Sequence, residues 1–419
     1  MIKTQTLKIS IIAISIIFAL ISCSKINTDN QKPSKELIEI SISSLPNKTE
    51  YIINEALDLT GLVVTATYSD KSTEKLNITA KNISGFSSSK VSDNLVLTIT
   101  LDKLSTQFSI KVIGLNITDG VVTGLEGNVK ELTLPSYVRA IGNNAFSGKK
   151  IEKITLNEGL KSIGNMTFAN SSISSINFPS TLTDIGEAAF YECTNLTEID
   201  LSKTQITQIL SECFAFSSVS KLILPNSIIS IGSQAFLRCP NLKNIALPYG
   251  TNTIGNEAFR ESALLSIALP NSIYAIKQRA FYNCANLESV TTFGDAKESS
   301  RETVDCLLSA YSFEACNNLK SFAIPSGIKV IGQNTISKAP NLTSITLGAN
   351  IKKINFSAFA NSSLASVKME AINPPIAELI YGVWYGFPEK ISSIVVPKGS
   401  AQAYKNADGW KDFAKVISE

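Results

Sequence analysis

Phenylalanine recurs in this chain with a period that a single compact unit has no use for. Phe146, Phe168, Phe190, Phe214, Phe236, Phe259, Phe281, Phe313 and Phe359 share one position, with Ile336 filling the same slot before the last; the intervals are 22, 22, 24, 22, 23, 22, 32, 23 and 23 residues. Nine of the 19 phenylalanines therefore mark a repeat. Self-similarity at such a period is the mark of a solenoid, because one unit cannot bury its own apolar residues and must stack them against a neighbour's. One copy reads Leu222 to Leu242. Its Ile-x-Leu pairs, such as Ile245 with Leu247 and Ile267 with Leu269, alternate as short strands with both side chains inward. Pro135, Pro179, Pro225, Pro248, Pro270 and Pro325 then end the strands, having no N–H for a ladder. Gly142, Gly164, Gly186, Gly232, Gly255 and Gly332 each follow an isoleucine, which predicts a positive-φ corner. The phenylalanine fills the wide end of the wedge.

Composition excludes much chemistry. The 419 residues contain no histidine, so Ser-His-Asp triads, Cys-His pairs and histidine metal sites are ruled out. Lys+Arg 38 against Asp+Glu 35 leaves a formal charge of +3, without the dense basic face that nucleic acid requires. Carboxylate chemistry survives, and Asp295 with Glu298 is the nearest thing to an acid-base pair, but nothing in the sequence lines a cleft around it. No catalytic residue, cofactor or metal site is expected, and no nucleic-acid partner.

The unit from Leu222 to Leu242 resembles the 23-residue repeat of BspA-type leucine-rich-repeat bacterial surface proteins, over about 240 residues. That resemblance implies a solenoid of about ten 22–24-residue copies and adhesion to host matrix or plasma proteins, or to other bacterial surface proteins. Leu57 to Asp70 resembles the bacterial immunoglobulin-like domain of surface proteins, within a run of alternating strands from Leu37 to Gly114. Such a module serves as a spacer or, less often, as a binder. It has neither Cys nor Trp, so apolar packing must hold its two sheets together.

The chain opens with Lys3 and Lys8, an apolar stretch Ile9 to Leu20, and Leu20-Ile21-Ser22-Cys23. The stretch is too short to span a bilayer and reads as an export signal. The last four residues resemble the lipobox of bacterial lipoproteins, which implies acylation of Cys23; Ser24 after it favours the outer membrane. The expected organisation is thus 1–22 signal peptide, 23–36 lipidated cysteine and linker, 37–114 immunoglobulin-like domain, 115–370 solenoid with an insertion near 294–306, and 371–419 terminal repeat and cap. The fold class is mainly β, a β-sandwich followed by a leucine-rich-repeat solenoid with a short C-terminal helical cap.

Four of the six remaining cysteines, Cys193, Cys239, Cys284 and Cys316, lie three residues after the repeat phenylalanine, where other copies carry Ser or Ala. A small buried side chain suits that slot, and a structural thiol is preferred to a redox or metal role. Cys284 and Cys316 would be the pair to bridge if any did; Cys306, beside the insertion, is the better candidate for a reactive thiol. The charged insertion is a surface loop with or without function. Tyr381, Trp384, Tyr385 and Phe387 then form an aromatic cluster ahead of Ser400, the expected N-cap of a helix. Those aromatics read as a lid over the last coil, with a sugar-stacking platform at Trp384 and Tyr385 as the alternative.

The expected binding face is the outward side of the strands: Asn244, Ala246, Ser266, Ala268, Ser289, Thr291, Ser321, Ala323, Ser344 and Thr346. It lacks aromatic and Arg anchors, so weak, multivalent protein binding by a lipid-anchored monomer is expected. A glycan-binding or glycan-handling lipoprotein is the other reading.

Overall fold

The computed structural model describes residues 35–127, 129–295, 306–381 and 384–419. The segment expected to be an export signal, Cys23 and residues 296–305 of the insertion lie outside them. The described chain forms two compact units.

The first comprises 35–47, 59–84 and 98–107. Leu37–Ser44 pairs antiparallel with Val63–Tyr68, which pairs antiparallel with Thr73–Leu76. Alternation along the middle strand buries Val64 and Ala66 completely. A hairpin closes at Ser69–Ser72, where the Asp70 carboxylate accepts the Ser72 N–H at 2.9 Å and also the Ser72 hydroxyl, and Lys71 takes φ 66°. These two hydrogen bonds from Ser72, hydroxyl and backbone, hold the Asp70 carboxyl below its ordinary pKa.

The second unit holds 48–58, 85–97 and the described residues from 108 onward. Glu50–Ile52 lies parallel to Lys111–Ile113, with Tyr51 buried and its hydroxyl donating to the Asp58 carbonyl at 2.9 Å. The end of Leu104–Thr118 pairs antiparallel with Val121–Glu126, whose other edge pairs parallel with Ala140–Ile141. On this side the solenoid therefore starts on a strand already paired, and the edge of Ala140–Ile141 is covered.

From there the chain winds about twelve turns, two more than the phenylalanines alone predict. The extra turns are those of Val121–Val122 and Ile376–Ala377, which carry no phenylalanine of the regular series. Each coil contributes to three hydrogen-bonded walls. A strand wall collects the Ile-x-Leu segments, in register from coil to coil: Lys153 beside Ser175, Glu198 beside Lys221, Ser266 beside Ser289. A corner wall collects two-residue strands such as Ser230–Ile231 and Thr253–Ile254.

The third is a turn wall around the phenylalanines. There the residues two before and two after Phe take left-handed backbone in coil after coil, for example Met166 and Asn170, Ala188 and Glu192, Glu257 and Glu261. Alternating the hand of the backbone points every second N–H at the next coil. Met166, Phe168 and Asn170 accordingly donate to the carbonyls of Glu187, Ala189 and Tyr191, all at 2.8 Å. The phenylalanines hang inward from this wall and stack: successive rings from Phe168 to Phe313 lie 4.6–5.6 Å apart and within 13° of parallel.

One expectation fails here. The glycines after isoleucine are not at positive φ; the left-handed positions are the non-glycine residues flanking Phe. Glycine is required by close approach instead. A Cβ on Gly255 would lie 2.6 Å from the backbone of Gly232, and one on Gly186 2.5 Å from the backbone of Asn165. Neighbouring coils touch main chain to main chain at that corner.

The far end is sealed by aromatics. Phe387 stacks on Phe359 at 5.4 Å and 10°, continuing the ladder it was expected only to cover. Ile417–Ser418 pairs with Ser393–Val395 as the last strand of its wall. Between them the helix Ala401–Asn406 buries Tyr404, whose hydroxyl donates to the Ala371 carbonyl at 2.6 Å, and the Trp410 indole donates to the Pro375 carbonyl at 2.7 Å. Ser400 stands at the N-cap position but its hydroxyl makes no cap bond; the Glu419 carboxylate accepts the Ala401 N–H instead, at 3.0 Å.

Candidate functional site

The strand wall offers the longest ordered surface. Its inward residues, Ile245, Ile267, Val290, Phe322 and Ile345, are buried, so the intervening ones must face water. Asn244, Ala246, Ser266, Ala268, Thr291, Ser321, Ser344 and Thr346 are exposed, and Ser289 and Ala323 half-buried. Register brings several together: Ala246 bridges to Ala268, Ala268 faces Thr291, and Ser266, Ser289 and Ser321 form one row. Ser344 and Thr346 begin a separate sheet with Ser366 and Lys368.

The same wall continues toward the N-terminus, and there it is charged. Glu131, Lys153, Glu198 and Lys221 occupy the positions that Ser266 and Ser289 hold later, and ion pairs cross between adjacent coils: Lys130 with Glu152 at 2.8 Å, Lys153 with Glu131 at 3.8 Å, Lys221 with Glu198 at 3.2 Å. Sequence reasoning overlooked this half. The signal was available: Glu131 and Lys153 are 22 residues apart, Glu198 and Lys221 are 23, one repeat in each case. All these side chains are more than half exposed, so water screens the pairs and they set pattern more than stability.

The wall is interrupted three times: between Ser175–Ile176 and Glu198–Asp200, between Lys221–Ile223 and the Ala246–Ala268 bridge, and between Ser321–Phe322 and Ser344–Leu347. A shallow depression opens at the first and at the last of these. The first, about 430 Å³, is lined by Ser175, Thr197, Glu198, Asp200, Lys221 and Ile223. The second, about 440 Å³, is lined by Ser321, Ala323, Ser344, Thr346, Lys368 and Glu370 among others. The Asp200 carboxyl is held below its ordinary pKa chiefly by the Ser202 hydroxyl and N–H.

The cysteines belong to the scaffold. Cys193, Cys239 and Cys284 each donate to the carbonyl of the phenylalanine one coil back, at 3.0–3.1 Å, and lie 3.5–3.8 Å from Ser171, Ser217 and Ser262. Burial pushes their thiols up to about 12, so they stay protonated. Cys316 follows the same pattern toward Phe281, and Cys284 and Cys316 are free thiols. Cys306, expected to be reactive, is fully buried and out of reach of an oxidant. Among the described residues no group of His, Cys, Asp and Glu is placed to hold a metal ion.

The sugar platform fails on burial. Trp384 is 3% exposed, wedged 5.0 Å from Trp410 and 5.2 Å from Phe387, while Tyr385 is half exposed against Phe356. An indole closed in by Trp410, Phe387 and, at 6.0 Å, Phe413 offers no face to a pyranose. Asp295 is exposed and Glu298 lies outside the described residues.

The family model for the BspA type leucine-rich repeat region matches in six copies, over residues 124–223, 207–303 and 306–406. That for a bacterial Ig-like domain (group 3) matches 44–112. Among solved structures, a leucine-rich cell surface protein from Faecalibacterium prausnitzii is 19% identical over 75% of this chain and 96% of that one, with a TM-score of 0.41. A leucine-rich repeat protein from Bacteroides ovatus is 20% identical over 72% and 97%, TM-score 0.43, and the pneumococcal vaccine antigen PcpA is 17% identical over 77% and 85%, TM-score 0.41. A pectate lyase L from Thermoclostridium stercorarium is 32% identical over 85 residues, which are 20% of this chain and 7% of that protein; the chain spans only this small part of its relative. Among the described residues no helix is long and apolar enough to cross a membrane.

Proposed function

Because the chain belongs to the BspA-type leucine-rich-repeat family of cell-surface proteins, we propose that it is a lipid-anchored adhesin whose solenoid binds host matrix or plasma proteins, or proteins on other bacteria. The observation that carries this reading is the strand wall itself: small, neutral, exposed side chains in register over successive coils, flanked by charged rungs and two open depressions. A surface of that extent suits a macromolecule, since neither depression encloses a small ligand the way an active-site cleft does. With no aromatic or Arg side chain among these small residues, each contact is weak and avidity comes from many copies on one cell. The chain acts by binding, and no residue is assigned a catalytic role.

Cys23 is the proposed point of acylation, with the outer membrane as the site and the solenoid facing outward. Two acyl signals or more hold a protein at a membrane, each buried CH₂ contributing about 0.8 kcal/mol. Replacing Cys23 by Ala should move the protein from the membrane fraction into the medium; retention on the cell would count against the anchor. For the binding wall, the triple variant A246E/A268E/S289E places three like charges on adjacent coils without touching the core. Capture of plasma, matrix or bacterial surface proteins by immobilised solenoid should fall at least tenfold with the melting temperature unchanged. Undiminished capture would remove the strand wall from the reading.

A further inference from the structure

The turn wall carries the side chains that the strand wall lacks. Between the coils of Phe190 and Phe313 its outward residues include Tyr191, Phe216, Arg238, Arg260, Arg279 and Tyr282, so three of the five arginines in the chain stand on three successive coils. They are ordered against one another. Tyr191 meets Phe216 edge-on at 5.4 Å, and the guanidinium of Arg238 sits 5.7 Å from the Phe216 ring. Arg260 and Arg279 lie 5.6 and 6.0 Å from the Tyr282 ring. The basic end is internally compensated: Arg238 pairs with Glu261 at 2.6 Å, and Arg260 with Glu257 and Glu261 at 3.1 and 3.0 Å.

The other end is not. Among the described residues no Lys or Arg forms an ion pair with Glu187, Glu192 or Glu212, and these carboxylates gather around Tyr191. Burial, followed by the charge and hydrogen bond of Glu192 and then the charge of Glu212, raises the Tyr191 hydroxyl above its ordinary pKa. A cavity of about 290 Å³ opens there, with Met166 and Tyr191 as apolar walls and Glu187 and Glu212 on its lining. Met166 is 43% exposed within it, on backbone held left-handed at φ 52°.

We propose that this stretch of turn wall is a second protein-docking surface, occupied by a partner segment whose exposed lysine or arginine seats in the cavity between Tyr191, Glu187 and Glu212. The chemistry fits at both ends of such a side chain. Its methylene stem packs on Met166 and the tyrosine ring, and its cation meets an aromatic face and two carboxylates without a cation of their own. An anionic partner would meet the same carboxylates as repulsion. Arg238, Arg260 and the aromatics beside them supply the planar, pre-ordered contacts typical of interface anchors for the rest of the segment. The surface is independent of the strand wall, so either can fail alone.

The probe is a fluorescein-labelled seven-residue Gly/Ser peptide with a central arginine, followed by anisotropy on the whole exported chain and compared with central glutamate and central norleucine. The arginine peptide should bind at least tenfold tighter than either. E187Q/E212Q, which preserves shape, should abolish that preference, Y191F should keep it, and the strand-wall variant E198Q/D200N should leave it intact, with circular dichroism confirming the fold of each. Equal binding of the arginine and norleucine peptides, or equal loss in E198Q/D200N, overturns the proposal.

Discussion

The strand wall and the turn wall are built from the same coils, yet they solve the stacking problem with opposite backbones. Extended segments pair through ordinary parallel ladders and turn alternate side chains outward, so within each of its sheets the strand wall runs in register. The turn wall pairs through backbone of alternating hand, a conformation that costs a non-glycine residue roughly 1–2 kcal/mol each time. That cost recurs in coil after coil and is offset by interchain-like hydrogen bonds and by the inward phenylalanine stack. Where the strand wall breaks, between Ser175–Ile176 and Glu198–Asp200, the turn wall continues, with Ala188 and Phe190 donating to Ser211 and Cys213 at 2.9 Å. The 24-residue interval between Phe190 and Phe214 falls there. Extra length is absorbed on the strand side because the ring stack fixes the turn side.

Breaking the turn wall should therefore do the most harm. Phe259→Ala removes a ring that stacks at 5.2 and 5.1 Å on its neighbours, and should cost about 3–5 kcal/mol by denaturant unfolding, in the range of buried aromatic truncations. A loss below about 1 kcal/mol would mean that the stack is ornamental.

The thiols at the end of the turn wall give a second lever. Cys193, Cys239 and Cys284 keep their protons to about 12 in the folded chain against 9.0 when solvated. Above pH 9 the unfolded chain binds fewer protons than the folded one, so stability is full below that pH and falls as pH rises through 12. At pH 10 the three together should cost about 4 kcal/mol. C193S/C239S/C284S, which installs the residue other coils use, should flatten this alkaline limb; parallel melting curves for the two proteins between pH 8 and 10.5 would refute it.

Backbone substitutions sharpen the contrast at smaller scale. Gly255→Ala, at negative φ but in contact with the next coil, should destabilise by about 1–3 kcal/mol. Ala315→Gly, at φ 62° in the slot that Gly148 fills elsewhere, should be neutral or stabilising by up to about 1 kcal/mol. The reverse order would show that the corner glycines are needed for hand rather than for space.

The periodic phenylalanines made the solenoid, the inward Ile-x-Leu pairs and the buried cysteine slot legible, because each depends on spacing along one chain. Proline and strand alternation made the outward row from Asn244 to Thr346 legible for the same reason. The charged row from Glu131 to Lys221 was written in the sequence at the repeat interval but is recognisable only once coils are laid side by side. Two residues misled: Trp384, which looks exposed beside Tyr385 until Trp410 and Phe387 close over it, and Cys306, whose neighbouring charges suggest a surface that burial contradicts.

By itself the sequence determined that this chain must coil, with what period, and which residues point inward, since a repeat that cannot bury its own apolar side chains has stacking as its one remedy. Only the tertiary structure decided why the corner residues are glycine, which backbone carries the opposite hand, and where carboxylates without an ion-pair partner gather around Tyr191. Those depend on the distance between coils. Residues 22 to 24 apart in the chain become neighbours about 5 Å apart in space, and their close approach, hydrogen bonding and charge pairing are properties of that separation.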